Sequence, residues 1–522
     1  MSKLDSGTWA ERACGIFLLW AMMAVALPAQ TGAGIPAAQT TTVAPIVKFT
    51  TLYSFCSQGG DLCTDGENSL GALIQGTDGI FYGTTSYGGA YFYDGTAFSI
   101  TAGGTFTTLH NFCFDCSASG GDRPFAGLVQ GTNGKFYGTT YGGGALGYLC
   151  DPTCGTLFGM TAGGTLKTLH SFDGTDGAWS YAGLVQATNG MFYGTTDGGG
   201  TSKVCSSGCG TVFSMTAQGT LTTLHSFDGT DGIGPMGGLV RGTNGKFYGT
   251  TAGGGVGSAC TPRQNCGTVF NITAGGIFTT LYSFCSKSDC TDGAWPNAGM
   301  IEGTDGSFYG TTYVGGAYGG GTIFRITAGG ARTTLYDFCS QTKCADGDGP
   351  LAGLVQGTDG NFYGTTEYGG TVNDCLGYGS CGTVFSITPG GTLTTLHTFY
   401  GKDGAYPYEA LVQGTDGSFY GTTTDGGANY AGGTIFSLSV GLGPFVETQP
   451  ASRRVGKPVK ILGANLTGAT SVTFNGTVAT FSVVSSSEIT TTVPTGATTG
   501  TVQVETPGGT LSSNVPFRVT HP

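Results

Sequence analysis

The side chains of this 522-residue chain that could do chemistry are its 17 cysteines and several repeated histidines, aspartates and tyrosines. Cys14 stands alone near the N-terminus. The other cysteines form eight close pairs: Cys56 and Cys63, Cys113 and Cys116, Cys150 and Cys154, Cys205 and Cys209, Cys260 and Cys266, Cys285 and Cys290, Cys339 and Cys344, Cys375 and Cys381. Such pairs serve either as disulfides or as metal thiolates. A structural zinc site needs four donors. Only Cys113-x-x-Cys116 has zinc-like or redox spacing, and no second pair matches it. Disulfides are therefore expected, each closing a small loop and contributing roughly 2 kcal/mol on the chain-entropy model.

His110, His170, His225 and His397 resemble a ligand set, but they share one repeat position with Tyr53, Tyr282 and Tyr336. One residue per repeat lies far from its copies, so packing with a polar tip is expected there. Asp65, Asp176, Asp231, Asp292, Asp346 and Asp403 each precede a glycine, and the second repeat departs from this with Gly121-Asp122-Arg123. Asp-Gly is turn chemistry, the carboxylate bonding its own loop. Calcium is the alternative, with Asp173-Gly-Thr-Asp176 and Asp228-Gly-Thr-Asp231 as candidates, although neither fits an EF-hand loop. No other cofactor is expected.

Glycosidase chemistry needs two carboxylates facing each other across a cleft. Glu67, Glu302, Glu367, Glu409, Glu447, Glu488 and Glu505 occupy different repeat positions and form no paired motif. Gly-x-Ser-x-Gly, His-Glu-x-x-His and phosphate-loop motifs are absent. Binding is thus expected over catalysis. Tyrosines in variable glycine-rich loops suit recognition, and Tyr91, Tyr93, Tyr148, Tyr318 and Tyr378 are the candidates. A repeated polar position reads Gln75, Gln130, Gln186, Arg241, Glu302, Gln356 and Gln413. Arg241 and Glu302 break the pattern in adjacent repeats, which makes them binding candidates or partners in a salt bridge.

These residues hang on a repeat. FYGTT recurs at Phe81, Phe136, Phe192, Phe247, Phe308, Phe362 and Phe419, at intervals of 54 to 61 residues. One period, from Gly183, reads as strand A (Gly183 to Gln186), a turn at Thr188-Asn189-Gly190, and strand B (Met191 to Thr196). A cysteine-bearing loop, strand C (Gly210 to Thr216) and strand D (Leu221 to Phe227) follow. Asn-Gly and Asp-Gly predict a type I′ turn between A and B. A strand D, Phe49 to Phe55, precedes the first A, and the last C, from Gly433, has no D after it. The N-terminal strand can therefore complete the last unit and remove the open edge. The expected fold is a seven-bladed β-propeller of four strands per blade over 47–440. Residues 444–522 then alternate apolar and polar positions, as in a small immunoglobulin-like β-sandwich.

Glycine is 100 of 522 residues without a collagen period, and 32 Phe and 24 Tyr are too many for a disordered linker. A net charge of −12 with only 10% charged residues argues against nucleic acid and against a polybasic membrane patch. Lys3 and Arg12 precede an apolar run from Ile16 to Leu27, which reads as a signal peptide over 1–29, with a linker over 30–46.

The repeat GLVQGTNGKFYGTT (Gly127 to Thr140), with Gly-Thr-x-Phe and Thr-Leu-His-x-Phe, resembles the GloVer tandem repeats of exported bacterial proteins. That resemblance implies an extracytoplasmic repeat protein, in the periplasm, at the cell surface or outside the cell, with no established activity. Members often end in an anchor segment. None is visible here, and no transmembrane anchor is expected in the mature chain. The tail, with VKILGANL (Val459 to Leu466), SVTFNG (Ser471 to Gly476), Val493-Pro494 and GTVQVETPGG (Gly500 to Gly509), is similar to IPT/TIG domains. This implies a binding or spacer module. The combined expectation is a non-enzymatic surface or secreted protein that binds protein or polysaccharide. The alternative is a polysaccharide hydrolase or lyase with a site at the propeller mouth.

Overall fold

The computed structural model describes residues 47–520, apart from 59–62, 92, 114–119, 145–149, 151–152, 257–265, 373–374, 376–378 and 429–431. The expected signal peptide and linker lie outside the described residues, as do Tyr148, Tyr378, Cys116 and Cys260.

The repeats fold into seven four-stranded antiparallel sheets. In the third, strand A is Val185–Gln186, B Phe192–Thr196, C Thr211–Met215 and D Leu221–Ser226. The last sheet takes its fourth strand, Lys48–Ser54, from the start of the repeat region, with Lys48 opposite Ser439 and Ser54 opposite Thr434. The all-β propeller read from the repeat is the fold observed.

Each letter of FYGTT has a physical reason. The Tyr of one blade stacks on the Phe of the next at centroid distances of 3.9–4.2 Å, through seven junctions. Phe81 on Tyr420 closes the ring. Such ring pairs contribute about 0.5–1.5 kcal/mol each beyond area burial. The Gly makes room for two side chains of its own blade, as at Gly138, where Phe158 and Leu128 lie over the strand. The second Thr shares a buried hydroxyl contact of 2.8–3.0 Å with the Thr of strand C in every blade.

The A–B turn differs from expectation. Only its glycine has positive φ, +81° at Gly134, while Asn133 does not. Gly134 N–H donates to Gly131 O, so this is an i→i+3 turn followed by a left-handed glycine, and not type I′. The Asn or Asp is there for its side chain. Asn133 Nδ2 donates to Tyr137 OH at 2.8 Å, and Tyr82 OH donates to Asp78 at 2.6 Å; the other five blades repeat this pairing. A true type I′ pair, Asn475-Gly476, occurs in the tail, where both residues have positive φ.

Two four-stranded sheets and a two-stranded parallel pair form the C-terminal sandwich around Val446, Ile461, Val472, Phe474, Ile489, Val502 and Phe517. It sits against the turn end of the ring. Phe445 N–H donates to Thr415 O at 3.0 Å, Gln449 Nε2 to Gln130 O at 3.2 Å, and Arg518 Nη1 to Thr243 O.

The cysteine pairs close as disulfides. Six of the expected bridges have both ends within the described residues. Cys56 is bonded to Cys63, Cys150 to Cys154, and Cys205 to Cys209. Cys285 is bonded to Cys290, Cys339 to Cys344, and Cys375 to Cys381. Cys113 and Cys266 are also disulfide-bonded. Cys154, Cys209, Cys266 and Cys381 are buried just before strand C of their blades, so the bridge ties the variable B–C loop to the sheet. Cys290 and Cys344 instead end short 3-10 turns after strand D, in the crossover to the next blade. Among the described residues, no helix is long and apolar enough to cross a membrane.

A Cβ at Gly138 would lie 2.6 Å from Phe158 Cζ and 2.9 Å from Leu128 Cδ2. Gly138→Ala is expected to destabilise by about 1–3 kcal/mol, as overpacking does. Urea unfolding measures this, and an unchanged midpoint would contradict the packing role.

Candidate functional site: the axial channel and its mouth

The segment before strand A faces the ring axis. Its backbone must pass close to its neighbours, so small residues are required: a Cβ at Gly127 would meet Ala72 O at 2.6 Å. All seven blades contribute to an axial cavity of about 330 Å³, with leucine and methionine among its walls and Tyr181, Asn297, Tyr408 and Glu409 as its polar side chains.

One column of this segment reads Gly71, Ala126, Ala182, Gly237, Ala298, Ala352 and Glu409. A carboxylate thus replaces the small residue once in seven. Glu409 opens onto the channel and is otherwise enclosed by protein. Burial pushes its carboxyl up to about 8, weakly opposed by a backbone hydrogen bond. At five junctions the first Thr of FYGTT donates to the carbonyl of this column in the next blade, as Thr250 does to Ala298 O at 2.8 Å. Thr365, which precedes the Glu409 blade, has a buried hydroxyl with no partner. Asn297 Oδ1 is likewise buried and unpartnered among the described residues.

The channel mouth lies at the loop end of the ring, opposite the A–B turns. Each blade places one left-handed residue there: Asn68, Arg123, Trp179, Gly234, Trp295, Gly349 and Tyr406, with φ of +52° to +63°. Asn and Gly tolerate this conformation. Arg, Trp and Tyr do not, and such strain costs roughly 1–3 kcal/mol per residue. Their side chains build an aromatic rim. Phe125 stacks on Tyr181 at 5.1 Å, Tyr141 lies 5.1 Å from Tyr181 and 6.3 Å from Trp179, and Arg123 sits 5.0 Å over Tyr141. Trp295 meets Tyr313 at 5.8 Å, and Tyr368 meets Tyr406 at 5.6 Å.

Carboxylates are interleaved with the rings. Burial pushes Asp197 up to about 6. Burial also raises Glu367, which accepts Tyr313 OH at 3.0 Å, and Asp348. Tyr408 is pushed up to about 12, first by burial and then by the charges of Glu409 and Glu367. Carboxyls from three blades therefore share one mouth, where rings can stack on a ligand and carboxyls can hydrogen-bond it.

The residues singled out from sequence lie elsewhere. Tyr91, Tyr93 and Tyr318 are 49%, 73% and 61% exposed on loops outside the channel. Arg241 and Glu302 belong to the opposite, turn end. They form no ion pair with each other: Glu302 instead accepts Thr243 N–H at 2.9 Å and Thr243 Oγ1 at 2.7 Å. Three of the four repeated histidines bond a repeated aspartate. His170, His225 and His397 reach Asp176, Asp231 and Asp403 at 2.6–2.7 Å, and Tyr53, Tyr282 and Tyr336 make the equivalent bond to Asp65, Asp292 and Asp346. In the calcium candidates, Asp173 Oδ1 accepts three hydrogen bonds from Thr175 and Asp176, and Asp228 repeats this. Those oxygens are already saturated by donors. Cys56 and Cys63 lie close to Glu67, and Cys339 and Cys344 close to Asp348, but disulfide sulfurs are not thiolate ligands. Glu409, Asp197, Trp179 and Trp295 are not among the residues that sequence motifs single out. The signal of Glu409 is legible only column by column, as a carboxylate where the other six blades carry glycine or alanine; Trp179 and Trp295 share a column with Gly234 and Gly349, and the column of Asp197 varies from Ser86 to Glu367.

Antiparallel four-stranded blades around an axial channel, followed by an immunoglobulin-like sandwich, define a propeller with an appended immunoglobulin-like module. The chain belongs to the Gloeobacter/Verrucomicrobia repeat family, whose sequence model matches residues 40–262 and 205–436, and it carries an IPT/TIG domain at 446–519. No curated protein matches it. Among solved structures, a fungal alcohol oxidase in complex with copper aligns over 86% of this chain and 96% of its own, at 13% identity and a TM-score of 0.43. A luciferin-regenerating enzyme covers 60% and 89% at 10% identity and 0.35. A gluconolactonase from Xanthomonas campestris covers 54% and 78% at 12% identity and 0.31. None of these distant likenesses bears on the chemistry of this chain.

The raised carboxyl of Glu409 has a signed consequence. Between its ordinary value of 4.5 and about 8, the folded chain keeps a proton that the unfolded chain has lost, so stability falls as pH rises through that window. Glu409→Gln removes this loss. The variant is expected to match the parent near pH 4 and to exceed it progressively up to pH 8, as measured by urea unfolding across pH. A constant difference would contradict the burial of Glu409.

Proposed function

We propose that this is an exported, non-enzymatic propeller that binds polysaccharide, at the cell surface or outside the cell, through the loop-end mouth of its ring. One observation carries the reading: bulky residues of four blades are held in left-handed backbone around that mouth, a strain that packing alone does not require. Gly234 and Gly349 fill the same position without it. Flat aromatic faces and carboxyl acceptors are the two features with which proteins hold sugars, and the acidic balance of the chain disfavours a polyanionic ligand. Export is supported by the N-terminal sequence and by the disulfides, which persist in oxidising compartments.

A second reading, an extracellular polysaccharide hydrolase or lyase, is favoured by the raised carboxyls of Glu409 and Asp197. A carboxyl still protonated near neutral pH is what a general acid requires, and burial brings Glu409 there, while Asp197 at about 6 is better suited to act as the ionised partner.

A glycan array with the purified mature protein tests both, together with Trp295→Gly. The variant is expected to lose at least tenfold in glycan affinity without a fall in unfolding midpoint, because glycine relieves the left-handed strain. Unaltered affinity would refute the mouth as the binding surface. Release of new reducing ends from a bound glycan, abolished by Glu409→Gln, would instead establish the enzyme. Binding only to proteins would overturn both readings.

A further inference from the structure

We propose that the seam between the turn end of the ring and the C-terminal sandwich is an oxyanion-binding site, with Arg241 and Arg453 as its cationic walls. The ligand group is a carboxylate, sulfate or phosphate, either free or carried on an acidic sugar. The site is separate from the mouth and does not depend on the reading proposed for it.

Around the ring, the A-strand glutamine accepts the turn Thr N–H of the preceding blade: Thr77 to Gln130, Thr132 to Gln186, Thr304 to Gln356, Thr358 to Gln413 and Thr415 to Gln75, at 2.9–3.1 Å. At Thr188 the relay breaks. Its counterpart is Arg241, which has no acceptor atom and reaches only the Thr188 hydroxyl, at 3.4 Å. The Thr188 N–H is left to face a cleft of about 320 Å³, walled by Gln186, Thr188 and Arg241 of the ring and by Ser452 and Arg453 of the sandwich. The Nε of Arg453 is buried with no hydrogen-bond partner. Arg518 lies opposite Ser452 in the adjoining strand pair; its guanidinium donates to Thr243 O outside the cleft wall and adds positive charge near Arg241. Among the described residues, no ion pair engages any of the three. The carboxylate of Glu302 is committed to Thr243. Burial first, and then the nearby charge of Arg518, hold Arg241 below the usual guanidinium range, and the opposing effects of Tyr193 and Glu302 only partly offset them. Guanidinium forks and a backbone N–H match the oxygens of an oxyanion, and they gather here in a chain of net charge −12.

Arg241→Gln supplies a discriminating test, because Gln stands at this position in five other blades and restores the relay. Isothermal titration of the mature protein with phosphate, sulfate and glucuronate, each against chloride at equal ionic strength, reads the site. At least one oxyanion is expected to bind the parent above the chloride control. Arg241→Gln and Arg453→Gln are expected to weaken it at least tenfold, with the unfolding midpoint of Arg241→Gln unchanged or raised. Tighter glucuronate assigns an acidic sugar, and tighter phosphate or sulfate assigns an inorganic ion. No binding above chloride, or equal binding by both variants, overturns the proposal.

Discussion

The blade-to-blade junction is the constraint on which this molecule depends. Each junction stacks a Tyr on a Phe, and five of the seven link a Thr N–H to a Gln side chain through the relay. Because the last blade lands on the first, through Phe81 on Tyr420 and Thr415 on Gln75, an error at one junction cannot be absorbed there. It would propagate around the ring and open the seam. The near-identity of the seven FYGTT copies follows from this geometric requirement, and it explains why so large a share of the sequence is committed to architecture. Borrowing the last outer strand from Lys48–Ser54 serves the same end, since it gives the last blade the fourth strand that the others have and ties the two ends of the repeat region together.

A scaffold so constrained leaves function to positions where a residue can change while the Tyr–Phe stack of its junction stays in place, as it does at Tyr193 on Phe247 and Tyr363 on Phe419. Two sets qualify. At the loop end, the left-handed position varies from glycine to tryptophan, and the small-residue column admits Glu409 on the wall of the channel. There the chain places Trp179, Trp295, Tyr406 and Glu409 against local preference. At the turn end, Arg241 interrupts a relay that six other junctions complete, five of them through Gln and one through Glu302. The first set incurs backbone strain and a buried carboxyl, the second a missing hydrogen bond. In both, local stability is given up at positions that face open space.

The architecture is legible from the repeat alone. Period, strand count and the displaced N-terminal strand all follow from matching seven copies, and the bridges that end at Cys154, Cys209, Cys290 and Cys381 follow from cysteine spacing. What escapes is of two kinds. Asn-Gly backbone preference suggests the wrong A–B turn, because Asn133 is selected by its bond to Tyr137, a side-chain reason that dipeptide statistics do not contain. The mouth is hard to find because exposed-loop tyrosines such as Tyr91 and Tyr318 look like recognition residues, whereas Glu409 looks like one scattered glutamate. Only its column, with six glycines and alanines around it, marks it as the carboxylate on the axis. Arg241 and Glu302 do mark a break in symmetry. Opposite charge in adjacent repeats suggests a pair, yet each side chain is directed to the threonine of the preceding turn, and the two do not meet.

The sandwich gives the ring a direction. Its contacts at Gln130, Thr243 and Thr415 place it over the turn end, so that the loop end remains the approach to the channel. A symmetric ring has two openings of similar diameter and no intrinsic preference between them. Seating an immunoglobulin-like module against one end makes the two ends unlike, while the cavity that holds Glu409 is walled by the blades. The raised carboxyl at the axis therefore follows from burial among the blades, and the appended domain serves to distinguish the two ends of the ring.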